Sequence, residues 1–232
     1  MKPVYLVEAK RSAIGSFGGA LKDYAPAELG TTIARDVLSA TGVDPNAFGL
    51  SIFGHVISTD AKDPYLARVV ALGAGLTHET PAVTLNRLCG SGMQSIVTGA
   101  QQIQLGETDL VLAGGVEVMS RAPHSTQDIR WGKRLGRPDM RDMLEEALTD
   151  PFHTIHMGET AENVAEKFGV DRETQDACAL ESHRRASKAI REGRFRDQIV
   201  PVEIRKRRET VSFSEDEHVR HDASIEDFQK LR

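Results

Sequence analysis

Short apolar runs alternate with helical stripes through the first half of this chain. Val4-Tyr5-Leu6-Val7 is a solid apolar run that predicts a buried strand. From Ala27 to Ala40, Leu29, Ile33, Val37 and Leu38 fall on one helical face, and Gly42 marks the stop. Ser51 to Ile57 predicts a second strand. Asp63-Pro64 then predicts a helix start, with Asp as cap and Pro at the first helical position. Ala82 to Leu85 reads as a third strand, followed by a helix from Cys89 to about Leu105. Asp109 to Ala113 reads as a fourth strand, closed by Gly114-Gly115. This β-α-β-α-β-α-β order predicts an α/β fold with a largely parallel sheet and helices on its faces.

The helix that follows Cys89 carries no charge as far as Gly99 and is rich in small residues. A helix without a polar face is usually buried on all sides, so it is expected between two layers. After Ser120 the pattern changes. Arg121 to Asp150 is charged and rich in Pro and Gly, and it lacks clear periodicity. Two marked helices follow. Thr160 is the expected cap of the first, whose apolar face holds Ala161, Val164, Ala165 and Phe168. Asp171 is the expected cap of the second, which runs to about Glu192 before Gly193. Strand character returns from Gln198 to Ile204. The short basic run Arg205-Lys206-Arg207-Arg208 reads as a solvated turn flank.

With 232 residues, the chain can bury a sizeable core. Its net charge of −5 gives no reason to expect nucleic-acid binding. Cys89 and Cys178 are its two cysteines, so no disulfide framework is indicated and a reducing, cytoplasmic setting is expected. Neither a signal-peptide run nor a membrane-length apolar stretch occurs.

Cys89 is the main chemical candidate. A thiol at a helix N-terminus faces unpaired N–H groups and the positive end of the helix dipole. Both favour the nucleophilic thiolate, and Gly90 and Gly92 place no side chain over the sulfur. The alternative is that Cys89 is a small buried hydrophobe. Cys178, in mid-helix and without glycines around it, reads as a structural residue. His55, His78, His124, His153 and His183 lack metal-ligand spacing and read as surface or core residues, so no metal is expected. Gly114-Gly115 lacks the following helix that a phosphate loop requires.

Five stretches carry a resemblance that spans the chain. They are Lys10 to Gly15, Asn86 to Gly92, Gly114 to Ser120, His156 to Ala165 and Glu217 to His221. In these the chain resembles the thiolases, of the bacterial β-ketothiolase (acetyl-CoA acyltransferase) kind. Ser12-Ala13 departs from the commoner Thr-Pro or Thr-Ala.

The resemblance implies a layered α-β-α half with a mixed, mainly parallel sheet over residues 1–118. It implies an α-rich loop domain over 119–232 that binds CoA, mediates tetramerisation and returns to the core. Cys89 would accept the acyl group of an acyl-CoA as a thioester. Leu148, His156 and Met157 would line the pantetheine channel, and Arg220 would lie near the nucleotide of CoA. CoA and acyl-CoA would be substrates, with no resident cofactor. Residues Arg121 to Arg137 resemble the family's tetramer loop, and a homodimer would form through Ala82 to Asn86.

The family's second half would carry an Asn-Glu-Ala-Phe segment, a Gly-His-Pro histidine and a Cys-x-Gly-Gly-Gly cysteine. None of these strings occurs in the 232 residues. The expectation is therefore an N-terminal half that lacks the C-terminal catalytic domain, with weak or no turnover and an uncovered apolar face. A ketoacyl synthase and a non-catalytic CoA- or partner-binding half are the competing readings.

Overall fold

A computed structural model describes residues 2–205 and 209–231. Lys206, Arg207 and Arg208, most of the expected solvated turn flank, lie outside the described residues. The chain opens with α1 (Pro26–Thr41), β1 (Leu50–Gly54), α2 (Leu66–Ala74), β2 (Ala82–Leu85), α3 (Ser91–Leu105) and β3 (Val111–Gly115). β1 is the middle strand and pairs parallel with β2 on one side and β3 on the other. Its side chains alternate. Ser51 and Phe53 face α2, and the Ser51 hydroxyl donates to the Ala67 carbonyl. Ile52 and Gly54 face α3. The layers are thus α1 and α2, the sheet, then α3.

Phe53, Leu66, Val70 and Leu112 centre the core between the sheet and the α1–α2 pair. Gly42, with φ 61°, ends α1 as expected, and its amide caps the Leu38 carbonyl.

Val4 to Val7 is not a strand, and Tyr5, Leu6 and Val7 are exposed. A strand needs a backbone partner, and none of the described residues pairs with this run. Just before it, Lys2 forms an ion pair with Asp109, at the approach to β3. The second predicted strand stops at Gly54 rather than Ile57. The third helix begins at Ser91, capped by Gly90, so Cys89 precedes the helix. Nor is that helix covered all round. Ser91, Ser95 and Gly99 lie buried on the sheet, while Met93, Ile96 and Val97 are exposed on its other side. Asp63 opens a 3-10 turn (Asp63–Tyr65) ahead of α2 and caps nothing in α2. Its carboxylate instead turns back to accept from the Thr59 and Asp60 amides.

Beyond β3 come β4 (His124–Ser125), β5 (Arg141–Asp142), α4 (Met143–Ala147), α5 (Met157–Phe168), α6 (Arg172–Arg191), β6 (Val202–Arg205), β7 (Thr210–Phe213) and α7 (Ile225–Gln229). β6 and β7 form an antiparallel hairpin. Val202 and Phe213 pack with Ala13, Leu21, Leu29 and Val118 in a second core. This part of the chain thus packs back against the first half.

Candidate functional site

Parallel strands put their C-terminal ends on one edge, where α/β sheets commonly hold their chemistry. Leu85, Gly54 and Gly115 end the three strands there. The loop after β2 carries Cys89, whose thiol is exposed.

Short hydrogen bonds shape this loop. The Asn86 side-chain oxygen accepts from the Leu88 amide at 2.9 Å. The Ser91 hydroxyl donates to the Leu88 carbonyl at 2.6 Å and accepts from the Arg87 amide at 2.8 Å. Leu88 is held at φ 48°, a costly conformation for a branched residue and one that clusters at functional sites. Cys89 therefore sits on a strained corner, one residue ahead of the α3 cap.

Glycines seat α3 on the sheet. A Cβ on Gly54 would lie 2.6 Å from the Ser91 carbonyl carbon, and one on Gly115 would lie 3.1 Å from Gly92 Cα. Gly114 and Gly115 are thus packing positions at the end of β3, the first against Phe53 and the second against Gly92. Gly54 is not among the expected site residues; a glycine in the middle of the predicted strand Ser51 to Ile57 is the signal of a close backbone approach there.

His156 is the N-cap of α5, so the helix starts at Met157, and Thr160, the expected cap, lies inside it. The His156 ring accepts from the Gly158 amide at 3.0 Å, and Glu159 accepts from the His156 amide. Histidine is outside the usual cap set of Ser, Thr, Asp and Asn, which hid this start. The Met157 amide donates to the Leu148 carbonyl at 2.8 Å, and Thr149 bridges to His156. Leu148, His156 and Met157 are thereby brought together.

Arg220 stands elsewhere, with its amide donating to His183 on α6 at 3.2 Å. Among the described residues, no hydrogen bond or strand bridge joins Cys89 or Arg220 to the 148–157 turn. Two other matched stretches do meet: the Glu217 amide donates to the Ile14 carbonyl at 2.9 Å, and flanking residues add to the contact. Asp216 accepts two bonds from the Arg11 guanidinium and one from the Ile14 amide. Glu217 accepts from the Ser16 and Ala20 amides. The Arg11 bonds, aided by the Ile14 amide, hold the Asp216 carboxyl below the usual carboxylate range.

Cys178 is in mid-helix as expected, but its thiol is exposed rather than packed. Of the five histidines, His55 is buried, His183 is half-buried, and His78, His124 and His153 are exposed. Among the described residues, no group of three or more His, Cys, Asp or Glu is placed to hold a metal.

One constellation mimics a hydrolase relay. The Ser187 hydroxyl is 2.8 Å from His221 Nδ1, and His221 Nε2 is 3.6 Å from Glu215. Ser187 is only 2% exposed, and Arg191 donates to its oxygen at 2.6 Å. A substrate carbonyl has no route to that oxygen, so the cluster is structural.

The family model for the thiolase N-terminal domain matches residues 4–232. A beta-ketothiolase of Cupriavidus necator is 54% identical over 231 residues, covering all of this chain and 59% of that protein. The crystal structure of the Bacillus anthracis acetyl-CoA acetyltransferase is 46% identical with a TM-score of 0.93. The match covers 97% of this chain and 57% of that one. Human mitochondrial 3-ketoacyl-CoA thiolase, solved in complex with CoA, is 42% identical with a TM-score of 0.90. That match covers 97% of this chain and 56% of that one. The chain thus spans less than two thirds of the length of these relatives.

Proposed function

The chain belongs to the thiolase family, and from that premise we propose that it carries the acyl-accepting part of an acyl-CoA acyltransferase. One observation carries this reading: an exposed thiol on a strained corner, at the C-terminal edge of a parallel sheet and just ahead of a helix N-terminus. The Cys89 thiolate attacks the acyl-CoA carbonyl carbon. The carbon–sulfur bond to CoA breaks, CoA leaves as its thiolate, and the acyl group stays on Cys89 as a thioester. In Claisen condensation the carbanion of acetyl-CoA takes up that acyl group and frees Cys89. Thiolysis runs the other way: Cys89 attacks the 3-keto carbonyl of a 3-ketoacyl-CoA, the carbon–carbon bond breaks, acetyl-CoA leaves as its carbanion and is protonated, and a CoA thiolate then takes the acyl group from Cys89. The two half-reactions are a ping-pong scheme.

Leu148, His156 and Met157 line the pantetheine channel in this reading, and Arg220 lies near the nucleotide. Support comes from the hydrogen bonds that join the first three and from the CoA complex of the human relative. CoA and acyl-CoA are substrates, and no resident cofactor or metal is invoked. Residues 1–118 form the core domain and 119–232 the loop domain. The histidine base and the second cysteine are to be supplied by further polypeptide. Without them, turnover by these 232 residues is lower by several orders of magnitude, because catalytic groups that act as a unit are strongly non-additive.

The protein pairs as a homodimer through β2, with Arg121 to Arg137 extending pairs to tetramers. Val83, on the outer strand of the sheet, is exposed, and so is the apolar side of α3. Both surfaces favour association. No helix among the described residues is long and apolar enough to cross a membrane.

Steady-state thiolysis of acetoacetyl-CoA tests the function. The expected result is slow, ping-pong turnover that Cys89→Ala abolishes. Turnover that survives Cys89→Ala would overturn the reading. CoA binding with no acyl transfer at all would leave a non-catalytic half.

A further inference from the structure

The segment after β3 holds a carboxylate that the scheme above does not use. Glu117 reaches across the C-terminal edge of the sheet to the two residues where β1 breaks off. Its oxygens accept from the Val56 amide at 2.9 Å and the Ile57 amide at 3.2 Å. These bonds redirect the chain out of the strand, which is why β1 ends at Gly54.

Behind Glu117 lies His55, whose side chain is 3% exposed. His55 Nδ1 is 2.8 Å from the Val116 carbonyl, which can only accept, so Nδ1 carries a proton. The same nitrogen is 3.6 Å from Glu117. On the other side His55 Nε2 stands 3.4 Å from Asp63, whose side chain is fully buried. Nε2 and one Asp63 oxygen are buried without a hydrogen bond. Buried unpaired polar atoms are rare and call for an account. Asp63 and Glu117, from two different segments, are the titratable groups that face this ring.

The network leads to Cys89. The Val56 carbonyl, on the residue whose amide Glu117 holds, accepts from the Asn86 side-chain amide at 3.3 Å. The oxygen of that side chain fixes the Leu88 amide, on the strained residue beside Cys89. Three hydrogen bonds thus join Glu117 to the corner: its carboxylate holds the Val56 amide, the Val56 carbonyl holds the Asn86 side-chain amide, and the Asn86 side-chain oxygen holds the Leu88 amide.

We propose that Glu117, braced by the buried His55, is the positioning residue of the Cys89 corner. Its functional consequence rests on Cys89 being the acyl acceptor; its geometry does not. The strained corner persists because its neighbours over-determine it, and Glu117 anchors the outer end of that restraint.

Site-resolved amide hydrogen exchange on the purified protein tests the proposal. Glu117→Gln keeps the shape but removes one of the two acceptors and the charge. Bonds to charged acceptors are strong enough that exchange should accelerate by roughly tenfold or more at Val56 and Ile57. Positioning predicts faster exchange at Leu88 as well, and slower acylation of Cys89 with unchanged alkylation of Cys178. His55→Phe, which fills the space without the contacts, should also speed Leu88. If Val56 and Ile57 accelerate while Leu88 and Cys89 stay as in the wild type, the carboxylate is a local tie only and the proposal falls.

Should Glu117→Gln fail to fold, native-state exchange of the unsubstituted protein decides. Val56, Ile57 and Leu88 should then open as one unit with a common denaturant dependence. Separate opening of Leu88 would refute the link. An acyl group found on a residue other than Cys89 would overturn the functional reading and leave the exchange result to stand by itself.

Discussion

Gly54→Ala places a methyl group where β1 meets the start of α3. The new Cβ would lie 2.6 Å from the Ser91 carbonyl carbon and 2.8 Å from its oxygen. Ordinary contact begins at 3.4 Å, so the backbone ahead of α3 must move by about 0.8 Å. Backbone atoms cannot rotate aside as a flexible side chain can. Overpacking of this kind costs about 1–3 kcal/mol. For a chain of this size that lowers the melting temperature by about 2–12 °C. The same movement displaces the Arg87–Cys89 corner, which is bonded to Ser91 twice through the Leu88 carbonyl and once through the Arg87 amide. A misplacement near 1 Å can cost about a hundredfold in rate, so Cys89 acylation should fall roughly ten- to a hundredfold. Gly92→Ala is the control for stability, because a Cβ there meets nothing within 4 Å. Alanine is the better helix former by about 0.5–1 kcal/mol, so this variant should melt at or above the wild-type temperature. Calorimetry and rapid-quench acylation on both variants provide the readout. A Gly54→Ala protein that melts and acylates like wild type would refute the claim that this contact seats the corner.

Iodoacetamide should label Cys89 faster than Cys178, since both thiols are exposed and only Cys89 adjoins a helix N-terminus; peptide mapping that finds Cys178 faster sinks the assignment. His156→Ala should lose a cap worth about 0.5–2 kcal/mol and weaken CoA binding by loosening the Leu148–Met157 turn, as read by calorimetric titration. The folded Asp216 carboxyl is held low, so its stabilisation is present above the unfolded value of about 3.9 and drains away as pH falls through the folded value. Denaturation at pH 6 and pH 3 should therefore show a smaller acid loss in Asp216→Asn than in wild type. Sedimentation should show a dimer or larger species at micromolar concentration; a stable monomer would contradict pairing through β2.

Periodicity revealed the helices well because their faces and stops were written locally. Gly42 and Gly193 take the positive φ that their stop positions require, and Asp171 caps α6 as its sequence suggests. Failures came where non-local partners decide. Val4 to Val7 has the composition of a strand, but strand formation needs a neighbour that sequence alone does not supply. Ile57 leaves β1 because a carboxylate sixty residues away holds its amide. Asp63 resembles a cap, yet its carboxylate is turned toward the preceding residues. At the site, the cysteine and its glycines were legible as a motif. The strain at Leu88, the seat at Gly54 and the His55–Glu117 brace were not, because each depends on segments that meet only in the fold.

The central claim is that Cys89 accepts an acyl group. Brief exposure of the purified protein to acetyl-CoA, acid quench, and peptide mapping by mass spectrometry test it most directly. One acetyl group is expected, bound as a hydroxylamine-labile thioester on Cys89 and absent from Cys89→Ala. An acetyl group on any other residue, with Cys89 left free, would contradict it.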